Sequence, residues 1–328
     1  MMQAVVLEEY GDVDVLGFKE IPIPVPSASE VRIKVAATAL NRADLLQRRG
    51  LYPGPEAEFE IPGIEFSGVI ESSGESATKY PNGTEVMGIV GGGGYAEYLV
   101  LDERQVIPTP TNVSLVEAAA IPEVWITAFD ALIDKGHLLP KQKCLIHAGG
   151  SGVGTAGLQI AKELGADVAV TASAAKLETC QELGADLLID YHTEDFVAEV
   201  QRWTASSGVD VILDVVGGDY LERNITCASR QGRIVQVGAM AGTKTEINLG
   251  ALLQKRLTLI GTVLRSRSIE EKISLAEACA TYIVPKFEEG SFKPVIDSRY
   301  PFHKIVDAHS YMESNKNIGK ILIELPLP

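Results

Sequence analysis

Residues 143–154 read Lys-Cys-Leu-Ile-His-Ala-Gly-Gly-Ser-Gly-Val-Gly. The apolar run 144–148 predicts a buried parallel strand, and a glycine-rich turn follows at once. The next stretch, 155–164, spaces its apolar residues as a helix packed on a sheet does. In that strand–turn–helix setting a glycine fingerprint predicts a dinucleotide site. Glycines let the backbone turn sharply and approach a pyrophosphate, and the helix N-terminus offers unpaired N–H groups. The candidate contacts are Gly149, Ser151, Gly152, Val153 and Gly154. Ser151 stands where the strict G-x-G-x-x-G pattern has its second glycine, so a plain tight βα turn is the competing reading.

Outward from this turn the pattern is regular. Apolar strand-like runs at 167–172, 187–191, 209–216, 233–237 and 257–263 alternate with helical runs at 176–183, 194–204 and 220–228. With 144–148 these make six strands with helical crossovers, an α/β, doubly wound parallel sheet. Before it, residues 116–135 predict a helical stretch with a kink or a loop at Pro122. From the N-terminus to about residue 120, short β-like runs (3–7, 30–37, 66–71, 85–89, 96–101) are separated by turn signals, among them Pro53-Gly54-Pro55 and the glycines 91–94. After about residue 265 a long helical stretch, 269–287, precedes short segments and a final strand-like run, 320–325. This tail is expected to fold back onto the N-terminal part. The domains are therefore 1–120 with 265–328, and 121–264.

Bulk properties exclude several classes. The chain has 328 residues and a formal net charge of −15, which argues against nucleic acid and anionic membrane surfaces as partners. No apolar run is long enough to span a bilayer, and the N-terminus has no basic stretch ahead of an apolar one; a cytoplasmic location is expected. Cys144, Cys180, Cys227 and Cys279 are scattered without C-x-x-C spacing, as reduced buried thiols are.

Cofactor choice is also readable. An NAD-type site has an acidic residue about 20 residues past the glycines. Here the second strand runs into Thr171-Ala-Ser-Ala-Ala-Lys176, with no acid at its tip. Ser173 and Lys176 suit a 2′-phosphate, which a carboxylate would repel. NADPH is the expected cofactor.

The motifs Ala39-Leu-Asn-Arg-Ala-Asp44, Ile61-Pro-Gly-Ile-Glu-Phe-Ser-Gly68, Ala119-Ala-Ile-Pro-Glu-Val-Trp-Ile-Thr-Ala128, His147 to Gly154 and Ser314-Asn-Lys-Asn-Ile-Gly-Lys320 resemble the medium-chain dehydrogenase/reductases, in particular their zeta-crystallin branch of NADPH:quinone oxidoreductases. Within it the p53-inducible type is the nearest match. The resemblance implies a six-stranded Rossmann sheet inserted in a β-rich, GroES-like catalytic domain. It further implies a homodimer or homotetramer, and quinones or related small molecules as acceptors.

It also implies roles for residues. Tyr191 matches a position that contacts the 2′-phosphate. Asn41 and Tyr52 match positions near the nicotinamide and substrate, where the amide and the phenol can each donate to an acceptor oxygen. Val124 and Thr127 are expected to flank the nicotinamide, with Val237, Gly238, Ala239, Thr262, Val263 and Leu264 along the same crevice. Asn315 and Asn317 match a stretch that closes over the cofactor. Zinc-dependent relatives hold their metal with Cys, His and Cys; those positions here are Asn41, Ile64 and one near Glu123. No metal is expected, and hydride transfer to a conjugated acceptor needs none. The competing functions are an enone or 2-alkenal reductase and a non-catalytic NADPH-binding protein of the crystallin kind.

Overall fold

The protein was examined as a computed structural model, which describes residues 1–52 and 54–326; Pro53, part of an expected turn, and Leu327 and Pro328 lie outside the described residues. The chain divides into two compact units, 1–126 with 265–328 and 127–264. The first boundary falls at 126/127 rather than 120/121, inside helix Pro122–Phe129, which carries the chain from one unit to the other.

The unit 127–264 is built on six strands in the order Leu187–Asp190, Asp167–Ala172, Lys143–His147, Val209–Asp214, Ala228–Gln236 and Thr258–Gly261. Every pairing is parallel. The strand order reverses between Lys143–His147 and Val209–Asp214, where a parallel open sheet binds its ligands. The central strands are apolar because both faces are covered: Leu145, Ile146, Val168, Val170, Ile212 and Leu213 are all fully buried. Helix Leu249–Lys255, capped by the Asn248 side chain, breaks the run that the sequence left without an element.

The unit 1–126 with 265–328 carries a two-stranded antiparallel sheet, Met2–Val6 with Gly17–Ile21, and a seven-stranded sheet. In the larger one, Ile296–Pro301, Lys320–Glu324, Glu30–Ala39, Glu65–Ser73, Glu85–Ile89 and Ile107–Pro108 lie in that order, and Tyr98–Asp102 also pairs with Glu30–Ala39. The C-terminal strand Lys320–Glu324 is thus stitched antiparallel beside Glu30–Ala39, Leu322 opposite Ala39. This is the return of the tail expected from the sequence.

Several elements differ from expectation for local reasons. Residues 116–135 are not one helix: Leu115–Ala118 ends, Pro122–Phe129 begins at a proline in its first turn, and a π-helical segment Asp130–Lys135 follows. The stretch 269–287 is interrupted by a π-turn, Cys279–Ile283, just ahead of Pro285, which has no N–H to continue the ladder. Helices Arg42–Arg48 and Ile305–Glu313 and strands Gly17–Ile21 and Ile296–Pro301 stand where the sequence suggested no element. All four cysteines are buried, free thiols. Burial pushes Cys180 up to about 11 and Cys227 and Cys279 up to about 12.

Glycine is obligatory in the long hairpin of the larger sheet. A Cβ on Gly68 would lie 2.2 Å from the carbonyl oxygen of Lys34 on the partner strand. Gly68→Ala should therefore force the strands apart at a cost of about 1–3 kcal/mol, lowering Tm by roughly 2–10 °C; a melting curve matching the parent would show that the pair has more room than this.

Candidate functional site

In the unit 127–264 the turn at residues 148–154 is shaped by close contact. A Cβ on Gly154 would sit 2.3 Å from the Ala148 carbonyl oxygen, one on Gly149 would sit 2.8 Å from Cβ of Val170, and one on Gly150 would sit 2.7 Å from Cβ of Lys176. The turn thus leaves a cradle whose walls are backbone. Ala148 adopts φ 54° to enter it. Helix Gly152–Glu163 begins at Ser151, whose Oγ accepts from the Gly154 N–H at 3.0 Å. The serine that replaces a fingerprint glycine is therefore the helix cap. The N–H groups of Gly152 and Val153 have no intrahelical acceptor, which is what an anion at a helix N-terminus requires.

The strands beside this turn bring three of the sequence-predicted residues together. Asp190 pairs with Ala172, and the Tyr191 N–H donates to the Ala172 carbonyl at 3.2 Å. Ser173 caps the start of helix Ala174–Glu182 without spending its hydroxyl on the helix. Lys176 lies in that helix's first turn, its stem against Gly150, and Tyr191 is 38% exposed and tilted against His192. Ser173 and Tyr191 thus follow adjacent strand ends, with Lys176 in the first turn beyond and no carboxylate ending the strand Asp167–Ala172.

On the other side of the reversal, Val237 donates its N–H to the Asp214 carbonyl at 2.8 Å, and Gly238 and Ala239 follow. Thr262 bonds Gln236 through its N–H and Asp130 through its hydroxyl, at 3.0 and 2.6 Å. Val263 is exposed and Leu264 buried. Thr127 is buried at the start of this unit.

Sequence reasoning missed what holds this end of the sheet. His147 is fully buried, with Nδ1 at 3.0 Å from Thr171 Oγ1 and Nε2 at 2.7 Å from Asn224 Oδ1. The Asn224 amide donates to Asp214 Oδ2, and Asp214 Oδ1 takes the N–H groups of Val216 and Gly217. Burial holds the imidazole below its usual range, so it stays neutral.

The other unit holds a buried polar cluster. Lys320 Nζ donates to the Leu40 carbonyl at 2.8 Å, to Asn41 Oδ1 at 2.7 Å and to Glu65 Oε1 at 2.7 Å. Asn41 Nδ2 donates to Glu65 Oε1 at 2.7 Å and to the Ala39 carbonyl at 3.2 Å. Glu65 Oε2 accepts the Glu123 N–H at 2.8 Å. Asp44 accepts the N–H groups of Asn41, at 2.7 Å, and Gly63, at 3.3 Å. Burial pushes the Asp44 carboxyl up to about 6, although the Asn41 N–H and Lys320 pull the other way.

Asn41 is held on all sides within this cluster. Its amide nitrogen donates to Ala39 and Glu65 and its oxygen accepts from Lys320, which makes it a strut of the cluster. Tyr52 is half-buried; the Arg265 guanidinium lies 4.5 Å from its ring centre and Arg265 Nη1 donates to its carbonyl at 2.9 Å. One face of the phenol is therefore covered. Val124 is buried in helix Pro122–Phe129. Asn315 adopts φ 58° and accepts from Arg42 Nη2 at 2.6 Å, while the buried Asn317 donates to the Gly319 carbonyl at 3.0 Å.

The positions that hold zinc in metal-dependent relatives do not suit it here. Asn41 and the neighbouring Glu65 are bound to an ammonium, Ile64 offers no ligand, and among the described residues no group of three or more His, Cys, Asp or Glu is placed to hold a metal.

Breaking the ion pair should be severe. Lys320→Met leaves Glu65 charged and buried, which costs about 3–5 kcal/mol. Combining it with Glu65→Gln should recover most of the loss in a denaturant titration; an unrescued double variant would mean that the lysine's packing, not its charge, is what matters.

Comparison with known proteins fits both units. Residues 152–278 match the family model described as zinc-binding dehydrogenase, and residues 27–111 match the alcohol dehydrogenase GroES-like domain. The chain is 33% identical to the synaptic vesicle membrane protein VAT-1 homolog of Danio rerio, over 98% of this chain and 69% of that protein. It is 30% identical to human quinone oxidoreductase, over 99% and 98%. Among solved structures, quinone oxidoreductase from Pseudomonas syringae pv. Tomato DC3000 superposes with a TM-score of 0.91 at 27% identity, covering 99% of this chain and 100% of that one. Escherichia coli quinone oxidoreductase complexed with NADPH gives 0.87 at 26% over 98% and 99%, and CurK enoyl reductase 0.87 at 29% over 99% of each. The sheet order, the inserted α/β unit and these end-to-end likenesses together make the chain a member of the medium-chain dehydrogenase/reductase family.

Proposed function

We propose that the protein is a zinc-independent, NADPH-dependent reductase of quinones. The observation that carries this reading is the grouping of Ser173, Lys176 and Tyr191 at the strand ends beside a glycine turn whose backbone forms the cradle. The quinone oxidoreductases similar along the whole chain, one of them complexed with NADPH, support it. Bound NADPH would supply a hydride. The chain's own residues do the rest by binding and orienting. The N-terminus of helix Gly152–Glu163 takes the pyrophosphate, and Lys176, Ser173 and Tyr191 take the 2′-phosphate. Tyr52 orients the acceptor with its phenol, which burial keeps protonated. Lys320, whose three N–H groups go to Leu40, Asn41 and Glu65, has no hydrogen bond left for a substrate oxygen, which favours an acceptor that delocalises its own charge, as quinones do.

The enone reductase reading uses the same residues and has support in the likeness to CurK enoyl reductase. The likeness to VAT-1 homologs keeps the non-catalytic alternative in the test. The proposed enzyme is a cytoplasmic homo-oligomer with no nucleic-acid partner and no membrane attachment. Among the described residues no helix is long and apolar enough to cross a membrane. The outermost strand of the parallel sheet, Thr258–Gly261, exposes Leu259 near a helix exposing Leu249 and Leu253, an edge suited to pairing with a second copy.

Lys176→Ala should weaken NADPH binding roughly ten- to a hundred-fold, the worth of one charge-assisted contact, and leave NADH binding unchanged. Titration calorimetry with both cofactors checks this, and equal losses would refute the phosphate role. Sedimentation equilibrium should return a dimer or larger; a monomer at micromolar concentration would dispose of the edge-pairing reading. Initial rates of NADPH loss with 1,2- and 1,4-quinones and an alkenal decide the acceptor, and no oxidation with any of them would leave only the non-catalytic reading.

A further inference from the structure

The polar chain behind the glycine turn has a direction, and one charge sets it. Asp214 is fully buried, and its Oδ1 takes the N–H groups of Val216, at 2.6 Å, and Gly217, at 3.0 Å. A carboxylate only accepts, so Oδ2 must face a donor, and Asn224 presents Nδ2 to it at 2.8 Å. The amide orientation is thereby fixed, and Asn224 Oδ1 faces Nε2 of His147 at 2.7 Å as an acceptor. Nε2 therefore carries the hydrogen. A neutral imidazole has one N–H, so Nδ1 accepts, and its donor at 3.0 Å is the Thr171 hydroxyl. With its own hydrogen committed, Thr171 Oγ1 is left to accept the Ala148 N–H at 3.4 Å. The rings of Phe196 and Tyr220 wall the imidazole, their centres 4.9 and 4.8 Å away. All four side chains of the chain are buried, so none exchanges its partner for solvent.

The two ends lie in different loops. Ala148 enters the glycine turn at φ 54°, and the Gly149 N–H after it is held by the Thr171 carbonyl at 2.9 Å. At the other end Val216 and Gly217 follow strand Val209–Asp214. The Asp214 carbonyl accepts the Val237 N–H at 2.8 Å and Gln236 Nε2 at 3.1 Å, and Gln236 Nε2 also donates to the Gly238 carbonyl at 2.6 Å. One hydrogen-bonded chain thus runs from the proposed pyrophosphate cradle to the segment 237–239, across the point where the strand order reverses. All of it belongs to the unit 127–264.

Resting on the cofactor site of the reductase reading, we propose that Asp214, Asn224, His147 and Thr171 are positioning residues for the dinucleotide. None of them contacts it; together they fix the backbone segments that do. The charge of Asp214 sets each proton along the chain, and the chain sets the spacing of the two loops. Backbone N–H groups that recognise a pyrophosphate depend on that spacing, because they cannot re-aim by rotating a side chain. The effect falls on the part of the cofactor that NADPH and NADH share, whereas Lys176 acts on the 2′-phosphate alone.

Two measurements test this, the first without cofactor. With 15N in the histidine rings, and His147 assigned through its backbone, the parent should show hydrogen on Nε2 and a bare Nδ1. Asp214→Asn places an amide donor opposite Asn224, which must then flip, and His147 should change to the Nδ1–H tautomer. The opposite tautomer in the parent, or no change in the variant, overturns the chain; the parent spectrum decides this even where the variant does not fold. The second is titration calorimetry with both cofactors. Thr171→Val keeps the shape of the strand residue and removes the hydroxyl. It should weaken NADPH and NADH by the same factor, about ten-fold, the low end for one charge-assisted hydrogen bond, and Thr171→Ser should restore both. A folded Thr171→Val with parent affinities, a loss confined to NADPH, or a Thr171→Ser as weak as Thr171→Val overturns the positioning role and leaves the reductase reading standing. A parent that binds neither dinucleotide ends both.

Discussion

One ammonium group ties the N- and C-terminal parts of the larger sheet together. Lys320 enters the cluster from the last strand, Asn41 from the start of a helix and Glu65 from the head of a strand, and the three meet with every bond between 2.7 and 2.8 Å. A charged pair this deeply enclosed is held only if its remaining donors and acceptors are satisfied. Here they are: the third ammonium hydrogen goes to the Leu40 carbonyl, and the second oxygen of Glu65 goes to the Glu123 N–H. That last bond extends the constraint into helix Pro122–Phe129. The lysine thereby sets the start of the segment that bears Val124 and leads into the α/β unit.

The same interaction narrows the chemistry. An ammonium shared among a carboxylate, an amide and a carbonyl has no capacity left for a substrate oxygen. Any acceptor must accommodate charge by its own conjugation and by protonation.

Much of this was legible in the sequence because it is local. The βα alternation, the glycine turn and the missing acid at the tip of the strand Asp167–Ala172 all lie within short windows, and the parallel, doubly wound sheet follows from the alternation. The return of residues 320–325 was legible as a break in that alternation. What could not be read is long-range. Nothing in a sequence window joins Lys320 to Glu65 or Asn41, so Asn41 read as a free amide. Glu65 lay in a motif that was noticed for the histidine its neighbour lacks. Short elements such as Arg42–Arg48 are fixed by a tertiary cluster and not by propensity: Asp44 bonds back to the N–H of Asn41, and that aspartate is held by Gly63 from the loop ahead of strand Glu65–Ser73.

The four thiols have a bearing on durability. Quinones and enones are electrophiles that alkylate sulfur, and the species they attack is the thiolate. Every cysteine here is buried, and desolvation makes each a weaker acid than a free one, leaving a very small ionised fraction at neutral pH. Toward electrophiles of that kind, the acceptors proposed above, the chain thus offers no ready thiolate. Packing of sulfur into the protein interior, otherwise a matter of filling space, shields these thiols from alkylation.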